Sequence, residues 1–340
     1  MTKKLKLGVI GAGRIGRVHA EAINFRIPNA EVVAISDINL AAAKKAAEDF
    51  GIGKVYEDHH QILKDPEIQA VVICSSTDTH SKIIEEAAAA KKHIFCEKPV
   101  DLTLAKIDSA LEAAKKAGVK LAVGFNRRFD PNFKKIGDLV REGKIGQPQL
   151  VRITSRDPGP PPVEYVKVSG GIFLDMTIHD LDMARYCIGD EVEEVYAVGR
   201  NLIDPAIKAA GDVDTAVVTL KYKNGAVCVI DNSRKAVYGY DQRLEVFGSK
   251  GCLVAGNDLP TRTQLWDGEA QKTDLPLHFF LQRYTESYVG EMKEFVDCVL
   301  NDRQPSCSGK DGLMAVVLGM AALKSHQENR PVKVSEIRAL

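Results

Sequence analysis

The sequence predicts an α/β protein in which an N-terminal doubly wound parallel sheet is followed by an α+β domain with a mainly antiparallel open sheet. Three observations predict it. Up to about residue 123, short β-branched runs alternate with longer Ala/Lys/Glu stretches, the pattern of parallel strands joined by crossover helices. After Gly146-Gln147-Pro148, strand-like runs succeed one another with hairpin signals such as Asn224-Gly225 between them. The length, 340 residues, exceeds the roughly 100–200 that one ordinary domain needs, so the expected division is 1–123 and 124–340.

In the first part the expected strands are Lys6–Ile10, Glu31–Ser36, Ala70–Cys74, His93–Cys96 and Lys120–Val123. Between them, Arg14–Phe25, Leu40–Phe50, His80–Ala90 and Thr103–Ala117 have helical composition, with Thr103 or Asp101 as cap of the last. The second part reads as strands Gln149–Ser155, Val192–Asn201, Asp214–Tyr222, Ala226–Asn232, Arg243–Phe247 and Gly251–Ala255. Its helices are expected at about Gly171–Cys187, Tyr284–Leu300 and Gly309–Ser325. Asp157-Pro158-Gly159-Pro160-Pro161-Pro162 can only be a loop, because each proline lacks a donor and fixes its own φ.

Composition removes several function classes. With 45% hydrophobic and 27% charged residues the chain is of ordinary globular type. The 46 basic side chains are matched by 46 acidic ones, so no global positive field draws it to nucleic acid or an anionic membrane. No run approaches the roughly 18 apolar residues of a membrane span, and the start reads as a first strand, not a signal peptide. Seven cysteines, odd in number and without a Cys-x-x-Cys pair, signal neither a disulfide framework nor a zinc cluster. Reduced thiols in a cytoplasmic protein are the expectation.

Gly11-Ala12-Gly13-Arg14-Ile15-Gly16 fits G-x-G-x-x-G between the first strand and first helix. Such glycines permit a tight turn, close approach to a pyrophosphate and helix-to-sheet packing, and the helix N-terminus supplies unpaired N–H donors. Residues 1–123 are therefore expected to form a Rossmann dinucleotide-binding domain, with Gly11, Gly13, Arg14, Ile15 and Gly16 against the cofactor. Asp37 lies 21 residues past Gly16, where a carboxylate accepts the ribose hydroxyl and repels a 2′-phosphate, which favours NAD over NADP. Asp37 can equally cap the helix near Leu40. The loop after the next strand, Cys74 to His80, offers Ser75, Ser76, Thr77 and His80 to the cofactor; His80 can also be a plain helix N-terminal residue.

Glu97-Lys98-Pro99 follows the strand ending at Cys96, which puts Lys98 at the carboxyl edge of a parallel sheet, where ligands bind. Further on, Asp175, His179 and Asp182 fall at i, i+4 and i+7 of one expected helix and share a face. Taken alone, an Asp/His pair of this kind is a structural hydrogen bond or a metal-ligand spacing.

The glycine motif, Glu97-Lys98-Pro99 and Asp175-x-x-x-His179-Asp180, in that order, together resemble the Gfo/Idh/MocA family of NAD(P)-dependent sugar and cyclitol dehydrogenases over essentially the whole chain. Within it, Gly124 to Asp130, Ser155-Arg156-Asp157-Pro158 and Gly170 to Asp180 look most like inositol 2-dehydrogenases. Relatives often carry Thr-Pro where this chain has Ser75-Ser76. The resemblance implies NAD-dependent oxidation of myo-inositol to 2-keto-myo-inositol (scyllo-inosose), with scyllo-inositol or another cyclic polyol or aldose as the alternative substrate. It further implies a homotetramer whose second domain binds substrate and oligomerises. A sensor of nucleotide or sugar that lost turnover is the alternative from another class, and intact Lys98, Asp175 and His179 argue against it.

By the same resemblance His179 is the acid/base, Lys98 holds the reacting oxygen and the nicotinamide end of the site, and Asp175 orients His179 and contacts a hydroxyl; Glu97 joins the cofactor set. No metal is required, because the cofactor carries the hydride chemistry. A ring of hydroxyls needs directional partners, which Asn126, Arg128 or its neighbour Arg127, Asp157, Asp182 and Tyr238 or Tyr240 supply, with Arg128 and Tyr238 the favoured members of their pairs.

Overall fold

The computed structural model describes residues 4–339. Two compact units are present, the first formed by the chain up to Phe129 together with Glu286–Met314, the second by Asp130–Thr285 with the segment from Ala315. The expected cut at 123/124 falls just short of this boundary. The larger difference is the return of Glu286–Met314 to the first unit, where a continuous second stretch was expected.

In the first unit β1 (Leu5–Ile10), α1 (Arg14–Arg26), β2 (Ala30–Ser36), α2 (Leu40–Phe50), β3 (Lys54–Tyr56), α3 (His60–Lys64), β4 (Ala70–Ile73), α4 (Thr77–Ala89), β5 (His93–Glu97), α5 (Leu104–Ala117) and β6 (Leu121–Gly124) alternate as read from the sequence, with β3 and α3 additional. All strand pairs are parallel, in the order β3-β2-β1-β4-β5-β6. Strands buried on both faces must be apolar, which is why Leu7–Ile10 and Ala70–Ile73 read as continuous runs. Gly16, Ala20 and Ile23 give α1 its buried stripe. The core joins Leu7, Val9, Val72 and Phe95 to Met292, Phe295 and Val296 of the returning segment. Each large apolar side chain buried there is worth about 1.5–3 kcal/mol, reason enough for that segment to pack here.

The second unit holds α6 (Pro131–Arg141), β7 (Pro148–Arg156), α7 (Val163–Val166), α8 (Gly171–Asp175), α9 (Thr177–Ile188), β8 (Val192–Arg200), α10 (Pro205–Ala209), β9 (Thr215–Tyr222), β10 (Val227–Ser233), β11 (Asp241–Gly248), β12 (Gly251–Ala255), the hairpin β13 (Gln264–Trp266) and β14 (Gln271–Thr273), and α11 (Phe280–Arg283). Then come α12 (Thr285–Leu300), α13 (Gly309–Glu328), within which the unit boundary falls, and β15 (Val332–Lys333). The sheet order is β12-β11-β7-β10-β9-β8-β15, antiparallel except for the β7/β10 pair. Asn224-Gly225 makes the expected β9/β10 turn, with Gly225 at φ +88° and its N–H on Tyr222 O. α9 packs against β7 and β10. Burial alternates along β9 and β10, so one sheet face is covered and the other is open.

The single helix expected over Gly171–Cys187 is two, α8 and α9, broken at Met176. There the His179 N–H turns to Met176 O, three residues back at 3.3 Å, in place of the Asp175 carbonyl. The helix α6 was not expected, although Asp130 caps it through Asn132 and Phe133 N–H and Pro131 opens it.

Candidate functional site

The reversal of strand order between β1 and β4 opens a crevice at their carboxyl ends, the usual ligand position in an open α/β sheet. The glycine loop sits there. Gly11 has φ +103°, and a Cβ on it would lie 2.5 Å from Cys74 O; one on Gly16 would lie 1.9 Å from Gly11 O. Only glycine fits either place. A Cβ on Gly13 meets nothing within 4 Å, so the N-terminus of α1, which Gly13 caps without any side-chain bond, opens onto free space. Arg14 is exposed and Ile15 half-buried beside it. This cradle fits a pyrophosphate held by backbone N–H groups.

Asp37 directly follows β2, half-buried, with Oδ1 accepting the Asn39 N–H at 2.8 Å and Oδ2 accepting the Ala12 N–H at 2.7 Å. It therefore ties the acidic position to the glycine loop. The cap of α2 is Asn39, whose side chain accepts the Ala42 N–H, so Asp37 is not the cap. Next to it Ile38 is 91% exposed.

In the loop after β4, Ser75 and Thr79 share a 2.7 Å hydroxyl bond, and Ser76 and Thr77 are exposed and half-buried at the start of α4. His80 is engaged with backbone carbonyls. Buried to 2% exposure, it faces Pro99 O through Nδ1 and Ser75 O through Nε2, which braces two loops and occupies both nitrogens.

Lys98 is half-buried at the end of β5, and its bond to Pro99 is cis. Glu97 turns inward: Oε1 lies 2.7 Å from His19 Nε2 and Oε2 accepts the Lys98 N–H at 3.3 Å. Behind the pair Glu291 of α12 is 1% exposed, its Oε1 3.9 Å from His19 Nε2. Burial, and then the nearby Glu97 charge, push the Glu291 carboxyl well above its ordinary range, so it folds as a neutral acid. A raised folded-state value gives stability that is present below the unfolded carboxyl value and lost as pH climbs toward the folded one. Glu291→Gln is therefore expected to hold its urea midpoint between pH 5 and 9 better than the wild type; parallel pH dependence in the two proteins would show Glu291 to be ionised in the fold.

Two polar residues expected at the substrate are engaged within the first unit. Asn126 is 3% exposed and donates to Ser287 Oγ at 3.2 Å. Arg128 is 7% exposed and binds Ser306 O and Asp311 Oδ1, the latter at 3.0 Å, a structural tie to the returning segment. Burial opposes the Asp311 charge, yet Arg128 and the Ser308 N–H hold its carboxyl below the ordinary value.

In the second unit Asp175 and His179 are both half-buried in otherwise buried stretches of α8 and α9. Asp182 is fully buried, so it shares their sequence spacing without sharing their exposure. Tyr165, unnoticed in the sequence, donates its hydroxyl to Asp175 Oδ1 at 2.8 Å. Asp157, half-buried after β7, is pinned by its backbone to Ser233 O and Ala236 N. Tyr238 is half-buried; its hydroxyl donates to Asp241 at 2.7 Å and accepts from Arg156 at 3.1 Å. Burial and Asp241 raise its titration, which keeps it a phenol. Tyr240, by contrast, is a core residue packed edge-on to Phe279 and Tyr284.

Known proteins resemble the chain throughout. The profile of an oxidoreductase family with an NAD-binding Rossmann fold, GFO_IDH_MocA, matches residues 5–125, and that of the GFO/IDH/MocA C-terminal domain matches residues 133–254. The chain is 54% identical to the myo-inositol 2-dehydrogenase of Thermotoga maritima, over 98% of this chain and 99% of that protein. It is 45% identical to an inositol 2-dehydrogenase of Rhizobium meliloti, over 97% and 99%. Identity to the NAD(+)-dependent scyllo-inositol 2-dehydrogenase of Bacillus subtilis is 36%, over 100% and 99%. Among solved structures, a probable dehydrogenase from Thermotoga maritima superposes with a TM-score of 0.96 at 54% identity, covering 98% of this chain and 100% of that one. A myo-inositol dehydrogenase from Lactobacillus casei, in complex with NAD(H) and myo-inositol, gives 0.87 at 29%, covering 97% and 96%.

Proposed function

Because the chain belongs to the Gfo/Idh/MocA oxidoreductase family, we propose that it is an NAD-dependent inositol 2-dehydrogenase, oxidising myo-inositol to 2-keto-myo-inositol (scyllo-inosose). The observation that carries this reading is the similarity to a myo-inositol 2-dehydrogenase, at more than half of all positions and over nearly the whole of both chains. When bound, NAD accepts the hydride from the carbinol carbon. His179 takes the hydroxyl proton as that hydride leaves, so the alcohol loses one hydride and one proton and becomes the ketone. Lys98 holds the reacting oxygen with a positive charge that favours alkoxide character. Asp175 is a fixed acceptor that orients His179 and meets a ring hydroxyl, with Asp157 and Tyr238 as further polyol contacts.

The test is the initial rate of NADH formation on myo-inositol, scyllo-inositol, D-chiro-inositol, glucose and xylose, with NAD and NADP in parallel. Preference for myo-inositol supports the reading, and turnover of none of them removes it. The same chemistry on scyllo-inositol is the second reading, favoured by the full-length likeness to a scyllo-inositol 2-dehydrogenase; a higher rate on that epimer would select it. Asp37→Ser is expected to lower the NAD/NADP preference in kcat/KM by about tenfold or more, since it removes both a hydroxyl acceptor and a charge that repels a 2′-phosphate. An unchanged ratio would limit Asp37 to bracing the glycine loop through Ala12.

The open face of the second sheet carries Tyr196, Val217, Val227, Phe247 and Val254, each at least a third exposed. Apolar groups exposed on one sheet face suit burial against further copies, and a cytoplasmic homotetramer built on this sheet completes the proposal. Sedimentation of the purified protein at micromolar concentration decides it, and a monomer there would remove the assembly from the reading.

A further inference from the structure

Arg234, just beyond β10, is 1% exposed, and its guanidinium lies between two carboxylates without close contact to either. Nη1 is 3.5 Å from Asp175 Oδ2 and Nη2 is 3.5 Å from Asp212 Oδ2. Nε and Nη2 meet no hydrogen-bond acceptor among the described residues, nor does Asp212 Oδ2 meet a donor. A buried charge with unspent donors is costly, and fully buried arginines ordinarily spend theirs at short range. Here the cation is held at Coulombic range only. Asp212 cannot move toward it freely, because its Oδ1 accepts the Ile172 N–H at 3.0 Å at the start of α8.

We propose that Arg234 is a positioning residue for the reaction: with Tyr165 on the other carboxylate oxygen, it clamps Asp175 as a fixed anion and offsets that charge as His179 feels it. The inference rests on the reading of Asp175 and His179 as the proton-transfer pair. Tyr165 donates to Oδ1 while Arg234 faces Oδ2, so each oxygen of Asp175 has a group directed at it. An anion beside a histidine raises the histidine's pKa and spoils a base needed in its neutral form; a cation behind the anion restores it. The other charged and titratable groups around this set are Asp212, Asp180, which accepts from Asn232 Nδ2 at 2.8 Å, and His326 with Arg200 near Asp212.

The experiment compares R234Q, R234K, the charge-balanced double variant R234Q/D212N, Y165F and D175N with the wild type, as pH profiles of kcat/KM on the best substrate plus NAD affinity. R234Q and the double variant are expected to lose about tenfold or more in kcat/KM with NAD affinity unchanged, and to move the acidic limb upward by about half a pH unit or more. R234K restores the limb position because it restores the charge. Y165F, at a residue 47% exposed where only a hydroxyl is removed, loses about three- to tenfold without a shift in NAD affinity. A merely structural arginine would lower activity or stability and leave the limb in place, and that result in the variants that fold overturns the proposal. So does R234K matching R234Q, or Y165F matching the wild type. Normal turnover in D175N overturns the underlying site reading as well, whereas an impaired D175N beside an unaffected R234Q overturns the Arg234 inference alone.

Discussion

Replacement of His179 by alanine is expected to lower kcat by about 10²–10⁴-fold while the affinity for NAD stays within about twofold of the wild type. The separation follows from placement. His179 lies on α9 in the second unit, whereas the glycine loop, Asp37 and the Ser75 loop belong entirely to the first. Without the imidazole, the hydroxyl proton must leave to water, so the deficit should shrink as pH rises and hydroxide takes over, and added imidazole should recover part of the rate. Stopped-flow NADH absorbance with a separate NAD titration reads both quantities. Turnover within tenfold of the wild type across the pH range would take His179 out of proton transfer.

Lys98→Met carries the second large effect: a fall of about 10²–10³-fold in kcat, again with NAD affinity little changed. Methionine keeps the length and apolar stem of the side chain and removes only the ammonium that stabilises the developing alkoxide. The backbone of Lys98 remains fixed by Glu97 Oε2, itself tied to His19, so the loop should keep its place in the variant. An increase in KM with kcat preserved would mean that Lys98 binds substrate and alkoxide equally well, contrary to the role assigned.

The parts of the site legible in the sequence were those with local causes. Gly16 is dictated by a contact within one strand-turn-helix unit, Gly11 by its positive φ in the same turn as well as by Cys74 O, and Asp37 by a spacing along the chain, so a motif can name them. Residue type alone could not say which way a side chain turns. His80, Glu97 and Arg128 have suitable chemistry at suitable positions, yet they spend it on Pro99 and Ser75 carbonyls, on His19, and on Asp311. Pro99, His19 and Asp311 stand 19, 78 and 183 positions away from them, beyond any local pattern. Arg234 and Tyr165 were illegible for the same reason, since their only distinction is proximity to Asp175. The break at Met176 shows the limit of periodicity: the i, i+4 spacing of Asp175 and His179 was real, but a continuous helix was not the device behind it.

The passage of the chain out of the first unit at Phe129 and back at Glu286 constrains how the protein can be made. As the N-terminus leaves the ribosome, its parallel sheet lacks Met292, Phe295 and Val296, which are supplied more than 150 residues later. The nascent sheet is left with an uncovered apolar face for the whole time the second unit is being synthesised, the condition under which chains collect chaperones or aggregate. Truncation after residue 129 should accordingly give an insoluble product in place of an isolated nucleotide-binding module. A minimal version would need α12 restored by a short linker across the gap.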